Sequence, residues 1–247
     1  MRNFGTVVAL CVVAAFAAVG CSSPTAETYA AGIDRESETD VALGMLRETD
    51  PAFYGSLRGR ASTRLASGDS PVDVRTEMMS EIRAYTLRQA PYVAAAPAVQ
   101  LIPVVETERD LIRHLQATDI ETCAAFAMRG LPSSYRPRGE TLAFVNTAAS
   151  ARLVAAKAGR ETPVSRGEVT ESDAQALYTA MAAKGLPEAA TMALFDGSLP
   201  IHPARTQCDV TVAFYDVMLN LPPESRQRVA AVVLKAAAEA IEAESGG

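Results

Sequence analysis

Apolar positions recur along this chain at spacings of three and four, and polar capping residues and Gly or Pro breaks punctuate them. Asp50-Pro51 places an N-cap before a proline at the first helical position, with Phe53, Tyr54, Leu57, Ala61 and Leu65 following on one side. Ser70-Pro71 repeats the device ahead of Val74, Met78, Ile82 and Tyr85. Thr107 with Asp110 has the spacing of a capping box leading into Leu111, Ile112 and Leu115. Asp119 precedes Ile120, Cys123 and Ala127, and Gly130 offers a stop. An Ala-rich helix is expected over 140–157, ending at Gly159. Thr170 with Asp173 caps the next, which stops at Gly185. Pro187 opens a short helix closed by Gly197. His202-Pro203 opens a long one with Val210, Phe214, Val217 and Leu221 buried, and Pro222-Pro223 opens the last.

Period-two alternation is scarce. Leu142 to Asn146 is the best strand candidate, and it lies inside a helical pattern. The pattern therefore predicts an all-α fold, an irregular multi-helix bundle of about eight or nine helices. A single helical domain is expected over 38–247, with a possible sub-boundary near 91–103, where three prolines interrupt the period. No repeat of 20–50 residues stands out, so a solenoid is not expected. Ser22 to Ser37 is polar and small, and is expected to be a flexible tether.

The N-terminus differs from the rest. Arg2 gives a short positive region, and Phe4 to Val19 is apolar and uncharged. That run is shorter than the roughly 20 residues a bilayer-spanning helix needs, so residues 1–20 are expected to be a signal peptide. The segment Ala18-Val19-Gly20-Cys21 followed by Ser22 resembles the cleavage box of bacterial lipoproteins, with Ala18 where that class usually carries Leu. The resemblance covers about 21 residues and implies sorting, not fold. It implies cleavage before Cys21 and lipid attachment to Cys21. Ser22 in place of Asp implies an outer-membrane, periplasm-facing destination. The membrane is then one expected partner, reached through the lipid on Cys21.

Composition narrows the function classes. The 247 residues carry 23 Lys+Arg and 29 Asp+Glu, a formal charge of −6. Loss of Arg2 with the signal would leave 22 basic and 29 acidic residues, a charge of −7. No strongly basic surface is available, so nucleic acid is not an expected partner. Trp is absent and only 2 His occur, so stacking platforms and His-built metal sites have little material; no cofactor or metal is expected. Of 4 Cys, Cys11 lies in the signal and Cys21 in the lipid site. Cys123 and Cys208 remain, and an oxidising compartment would join them in a disulfide; the alternative is two buried thiols acting as small hydrophobes.

Candidate chemistry is sparse. The segment FDGSLPIHP holds Asp196, Ser198 and His202, which would make a serine hydrolase if Ser–His and His–acid hydrogen bonds formed in line; otherwise the segment is an interhelical turn. Asp110 and His114 lie four apart, where the carboxylate could orient the imidazole. Arg129, Arg136 and Arg138 surround Tyr135, a set suited to gripping an anionic ligand or acidic partner. Arg58, Arg60 and Arg64 form a second basic patch beside Gly55 and Gly59, whose spacing could permit close helix approach. The reading that fits this balance best is a lipid-anchored module that binds another macromolecule, most plainly a protein of the envelope. The alternatives are a carrier or sensor of a small apolar or anionic ligand, and the hydrolase.

Overall fold

The computed structural model describes residues 24–131 and 135–245; the side chains of Arg129 and of residues 237–245 lie outside that description. Residues 1–20, where a signal peptide is expected, and Cys21 also lie outside the described residues. Twelve α-helices and one short 3₁₀ turn account for the regular structure, and no strand occurs among the described residues. The all-α class expected from periodicity is therefore found, with more helices than the eight or nine anticipated. Leu142 to Asn146 is helical.

The chain divides into two compact units at Glu81/Ile82, not near 91–103. In the first unit, α1 (Ala26–Glu36), α2 (Val41–Thr49) and α3 (Pro51–Ala66) precede the start of α4 (Pro71–Arg88). Here residues 26–36 correct the expectation of a tether. Thr25 caps α1 by accepting from Thr28 N–H, and Ala30 and Ile33 are buried. Two small buried contacts stabilise this helix without leaving a visible apolar stripe, so the period alone did not reveal it. Asp40 and Asp50 cap α2 and α3 by accepting from Leu43 and Phe53 N–H, each at 3.0 Å. Ile33, Ala61 and Val74 form one small cluster of this unit with Leu65 and Met78 against it, and Leu46, Tyr54 and Leu57 are buried as well.

The second unit contains α5 (Ala90–Ala95), α6 (Ala98–Thr118), α7 (Ile120–Arg129), α8 (Gly139–Glu161), α9 (Glu171–Ala182), α10 (Glu188–Asp196), the 3₁₀ turn Leu199–Ile201, α11 (Ala204–Asn220) and α12 (Pro223–Ser245). Thr107 and Asp110 do not cap a helix. They sit within α6, where the Thr107 hydroxyl donates to the carbonyls of Pro103 and Val104. Pro103 lies inside α6 and cannot donate a backbone hydrogen bond. The helix continues through it because Leu101, Val104, Val105, Leu111, Ile112 and Leu115 are buried on one face. The Thr170–Asp173 capping box is present in both directions. Gly197 closes α10 at φ 79°, a conformation that favours glycine.

Two clusters fill this unit. The larger joins Leu101, Val104, Ala155, Met181, Phe214 and Leu234 among others. The smaller surrounds the disulfide: Leu111, Ile112, Leu115 and Val212 pack with Cys123 and Cys208, which are bonded to each other with Cα atoms 5.7 Å apart. The bridge ties α7 to α11 across 85 residues of sequence.

Close helix approach occurs at a different glycine from the pair expected. A Cβ at Gly55 or Gly59 would meet nothing within 4 Å. A Cβ at Gly159 would lie 1.8 Å from the carbonyl oxygen of Tyr92 and 3.0 Å from Ala96 N, so α5 rests directly on the backbone of α8. Gly159→Ala is expected to destabilise by about 3 kcal/mol, because backbone must shift to admit one methyl group. That outweighs the gain of roughly 1 kcal/mol that Ala brings to a helix interior. Gly55→Ala and Gly59→Ala have only the gain and should each raise the denaturation midpoint. Urea melts of the three variants check this; a neutral Gly159→Ala would contradict the contact.

Candidate functional site

The Arg/Tyr segment follows α7, which Asp119 caps through Thr122 N–H at 3.1 Å and which Gly130 ends at φ 73°. The carboxyl of Asp119 is held below its ordinary range chiefly by the Thr122 hydroxyl. Tyr135 is half-buried and packs against the disulfide cluster. Arg136 is exposed and donates to the Tyr135 carbonyl at 3.0 Å, and Arg138 is exposed at the N-cap of α8. Tyr135 thus turns inward while the two described arginines face solvent. The side chain of Arg129 and residues 132–134 lie outside the described residues.

The segment holding Asp196, Ser198 and His202 is a closed interhelical turn. Ser198 donates both its N–H (2.9 Å) and its hydroxyl (2.6 Å) to Asp196 Oδ1. These bonds hold the Asp196 carboxyl below its ordinary range. The hydroxyl proton therefore points at the acid and not at an imidazole, and no hydrogen bond joins Ser198 to His202 among the described residues. In a hydrolytic triad the imidazole stands between hydroxyl and acid. Here the acid takes the hydroxyl directly, which is the geometry of a turn.

Asp110 and His114 also part company. Asp110 accepts from Arg109 at 2.8 Å. His114 Nε2 pairs with the Thr141 hydroxyl at 2.8 Å and its ring stacks on Phe144 at 4.7 Å. The imidazole therefore joins α6 to α8. Arg58, Arg60 and Arg64 are each neutralised: Arg58 by Asp34 at 2.7 Å, Arg60 by Glu81, and Arg64 by Asp69 at 2.6 Å and by Glu77. The groove beneath these pairs, floored by Leu57, Ala61 and Met78, has room for about one water molecule.

Two polar networks were not anticipated. Glu108, 2 % exposed, accepts from Arg152 Nε at one oxygen and from the Tyr215 hydroxyl at 2.9 Å at the other. Burial, reinforced by the Glu108 charge, pushes the Tyr215 hydroxyl well above its ordinary value of 10.0. Arg152 is raised as well, because attraction to Glu108 and Tyr215 outweighs desolvation, which acts the other way. With both carboxylate oxygens engaged, this trio ties α6, α8 and α11 together and offers no free base. Its signal was present in the sequence: Glu108 occupies the stripe position between Val104/Val105 and Leu111/Ile112. The second network is a fork of Arg228 onto Asp173, at 2.7 and 2.9 Å, which joins α12 to the start of α9. It holds the Asp173 carboxyl far below its ordinary range.

Among the described residues no group of three His, Cys, Asp or Glu side chains is placed to hold a metal ion, and no helix is long and apolar enough to cross a membrane. No family model matches the chain, and no significant match was found among curated proteins or solved structures.

Proposed function

We propose that this chain is a lipid-anchored protein of the bacterial outer membrane, facing the periplasm, whose helical units dock a protein partner of the envelope. One observation supports the docking role. The described charged and catalytic candidates are largely engaged within the fold, whereas large apolar side chains stay in water. On α4, Val72 is 73 % and Met79 is 48 % exposed, and their spacing of seven puts them on one helix face, two turns apart. With Arg75 and Thr76 exposed between them, these side chains make a mixed apolar and polar face, the composition of protein interfaces. The anchor rests on the N-terminal pattern ending at Cys21. Among the described residues Asp196, Ser198 and His202 form no in-line triad, and the groove beneath the Arg60 and Arg64 pairs holds about one water molecule, so neither feature favours the hydrolase or carrier reading.

Cys21→Ser is expected to move the protein from the outer-membrane fraction to the soluble periplasm while its circular dichroism stays helical. Retention of the variant in the membrane pellet to the same extent as the parent would sink the anchor. For docking, a photo-crosslinker at Val72 should give one discrete adduct in intact envelopes, and one at exposed Glu171 should not. Equal, diffuse labelling from both positions would remove the docking reading.

A further inference from the structure

The turn between α10 and α11 is built to leave water. Ile201 at its tip is 84 % exposed, and Met192 and Phe195, three residues apart on α10, are 42 % and 44 % exposed. The Tyr178 ring lies 6.4 Å from that of Phe195, so the apolar surface extends onto α9. The backbone of the turn meets many of its polar needs internally. Ser198 N–H goes to Asp196 Oδ1. Ile201 N–H goes to Ser198 O and His202 N–H to Leu199 O, each at 3.1 Å. Gln207 Nε2 donates to the carbonyls of Pro200 and His202, at 3.1 and 2.6 Å. Pro200 and Pro203 have no N–H to satisfy. These groups need no water, whereas the first N–H groups of α11 have no side-chain cap and call for a polar partner.

The charges around the tip indicate what covers it. Asp196 and Arg205 flank Ile201 on either side in sequence and both are exposed; one oxygen of Asp196 accepts from Ser198 and its carboxylate is attracted to His202, while Arg205 makes no ion pair among the described residues. A surface that presents anions and cations together, at one depth and over an apolar layer, complements this arrangement. A zwitterionic phospholipid surface has that composition: its phosphates suit Arg205, its ammonium groups suit Asp196, and its acyl boundary accepts Ile201, Phe195 and Met192. A wholly anionic surface would repel Asp196.

We propose that the 195–205 turn inserts into a zwitterionic phospholipid surface, the bilayer in which the acylated Cys21 would sit. This inference rests on the lipid-anchor reading, and it is separate from the protein-docking face of α4. Inserted, Ile201 would lie at the headgroup–acyl boundary, about 5–10 Å into the membrane, as apolar faces at interfaces do.

The chain contains no Trp, so Ile201→Trp is a single reporter in the full lipidated protein. The probe is vesicles of phosphatidylethanolamine and phosphatidylcholine, with and without brominated acyl chains. Emission from position 201 should shift to the blue and lose about half its intensity on brominated vesicles, since the bromines sit near the depth of an interfacial side chain. Val72→Trp, at a position that is also largely exposed, should keep a water-like spectrum and no quenching. Vesicle-bound protein whose position 201 is no more quenched than position 72 would overturn the proposal. So would a position 201 shielded from aqueous iodide but untouched by bromine, which would indicate a second copy or a protein partner instead. The same measurement on the Cys21→Ser background separates the two readings. Binding there as tight as that of the acylated parent would overturn the anchor alone, while bound, unquenched acylated protein would overturn the tip alone. A chain that fails to associate with the vesicles at all would overturn both.

Discussion

Removing the Cys123–Cys208 bridge is expected to produce the largest loss of stability that any small change brings to the second unit. The bond closes 85 residues of chain, and in the chain-entropy treatment a loop of that length stabilises by about 4–5 kcal/mol. Cys123 and Cys208 are both fully buried, so the paired substitution Cys123→Ala/Cys208→Ala also removes two sulfur atoms from the packed cluster around Leu111 and Ile112. At roughly 2–4 °C per kcal/mol for a domain of this size, the melting temperature should fall by about 10 °C or more. Non-reducing peptide mapping should recover the two cysteines in one crosslinked fragment. Separate fragments, or a variant that melts with the parent, would leave α7 and α11 held by packing alone. Because the bond lies inside the unit and not at Glu81/Ile82, its loss should leave the melting of residues 24–81 unaffected if the two units unfold separately.

Arg152→Met is expected to be nearly as damaging, for an electrostatic reason. It leaves the Glu108 carboxylate buried with only the Tyr215 hydroxyl as a partner. Stranding one member of a buried ion pair typically costs about 3–5 kcal/mol. The intact pair is not thereby a large net stabiliser, since burying both charges carries its own cost. The two effects separate experimentally. Adding Glu108→Gln to Arg152→Met removes the stranded charge and retains an acceptor for Tyr215, so it should recover most of the loss. A double variant as unstable as the single one would show that Arg152 acts through packing of its stem.

Tyr215 extends this prediction to pH. Its hydroxyl titrates well above 10 in the folded protein and near 10 when unfolded. Its contribution is thus fully present below pH about 10 and is lost as the pH rises through the folded value, because the unfolded state loses the proton first. Alkaline melts of Tyr215→Phe should be flatter with pH above that point than those of the parent. Parallel curves would show that Tyr215 ionises as an ordinary tyrosine.

The sequence alone determined the helical class and most helix starts, because these depend on neighbours a few residues apart. Asp50-Pro51, the Thr170–Asp173 box and Gly197 each satisfy or end a local backbone pattern, and each acts where it was expected to. The buried stripe of Val210, Phe214, Val217 and Leu221 was legible for the same reason. The Cys123–Cys208 pairing followed from elimination among four cysteines and the expected compartment, although the sequence did not say that α7 and α11 are neighbours. Tertiary structure decided what depends on distant partners. Ile33 gains burial only when Ala61 of α3 and Val74 of α4 pack on it, so residues 26–36 looked like a tether. Gly159 is tight and Gly55 open because Tyr92 approaches one and nothing approaches the other. Asp110 chose Arg109, His114 chose Thr141 and Phe144, and Ser198 gave its proton to Asp196. A side chain's chemistry is set by its residue type, but its role depends on which group three-dimensional packing places within hydrogen-bonding distance, and local spacing does not encode that.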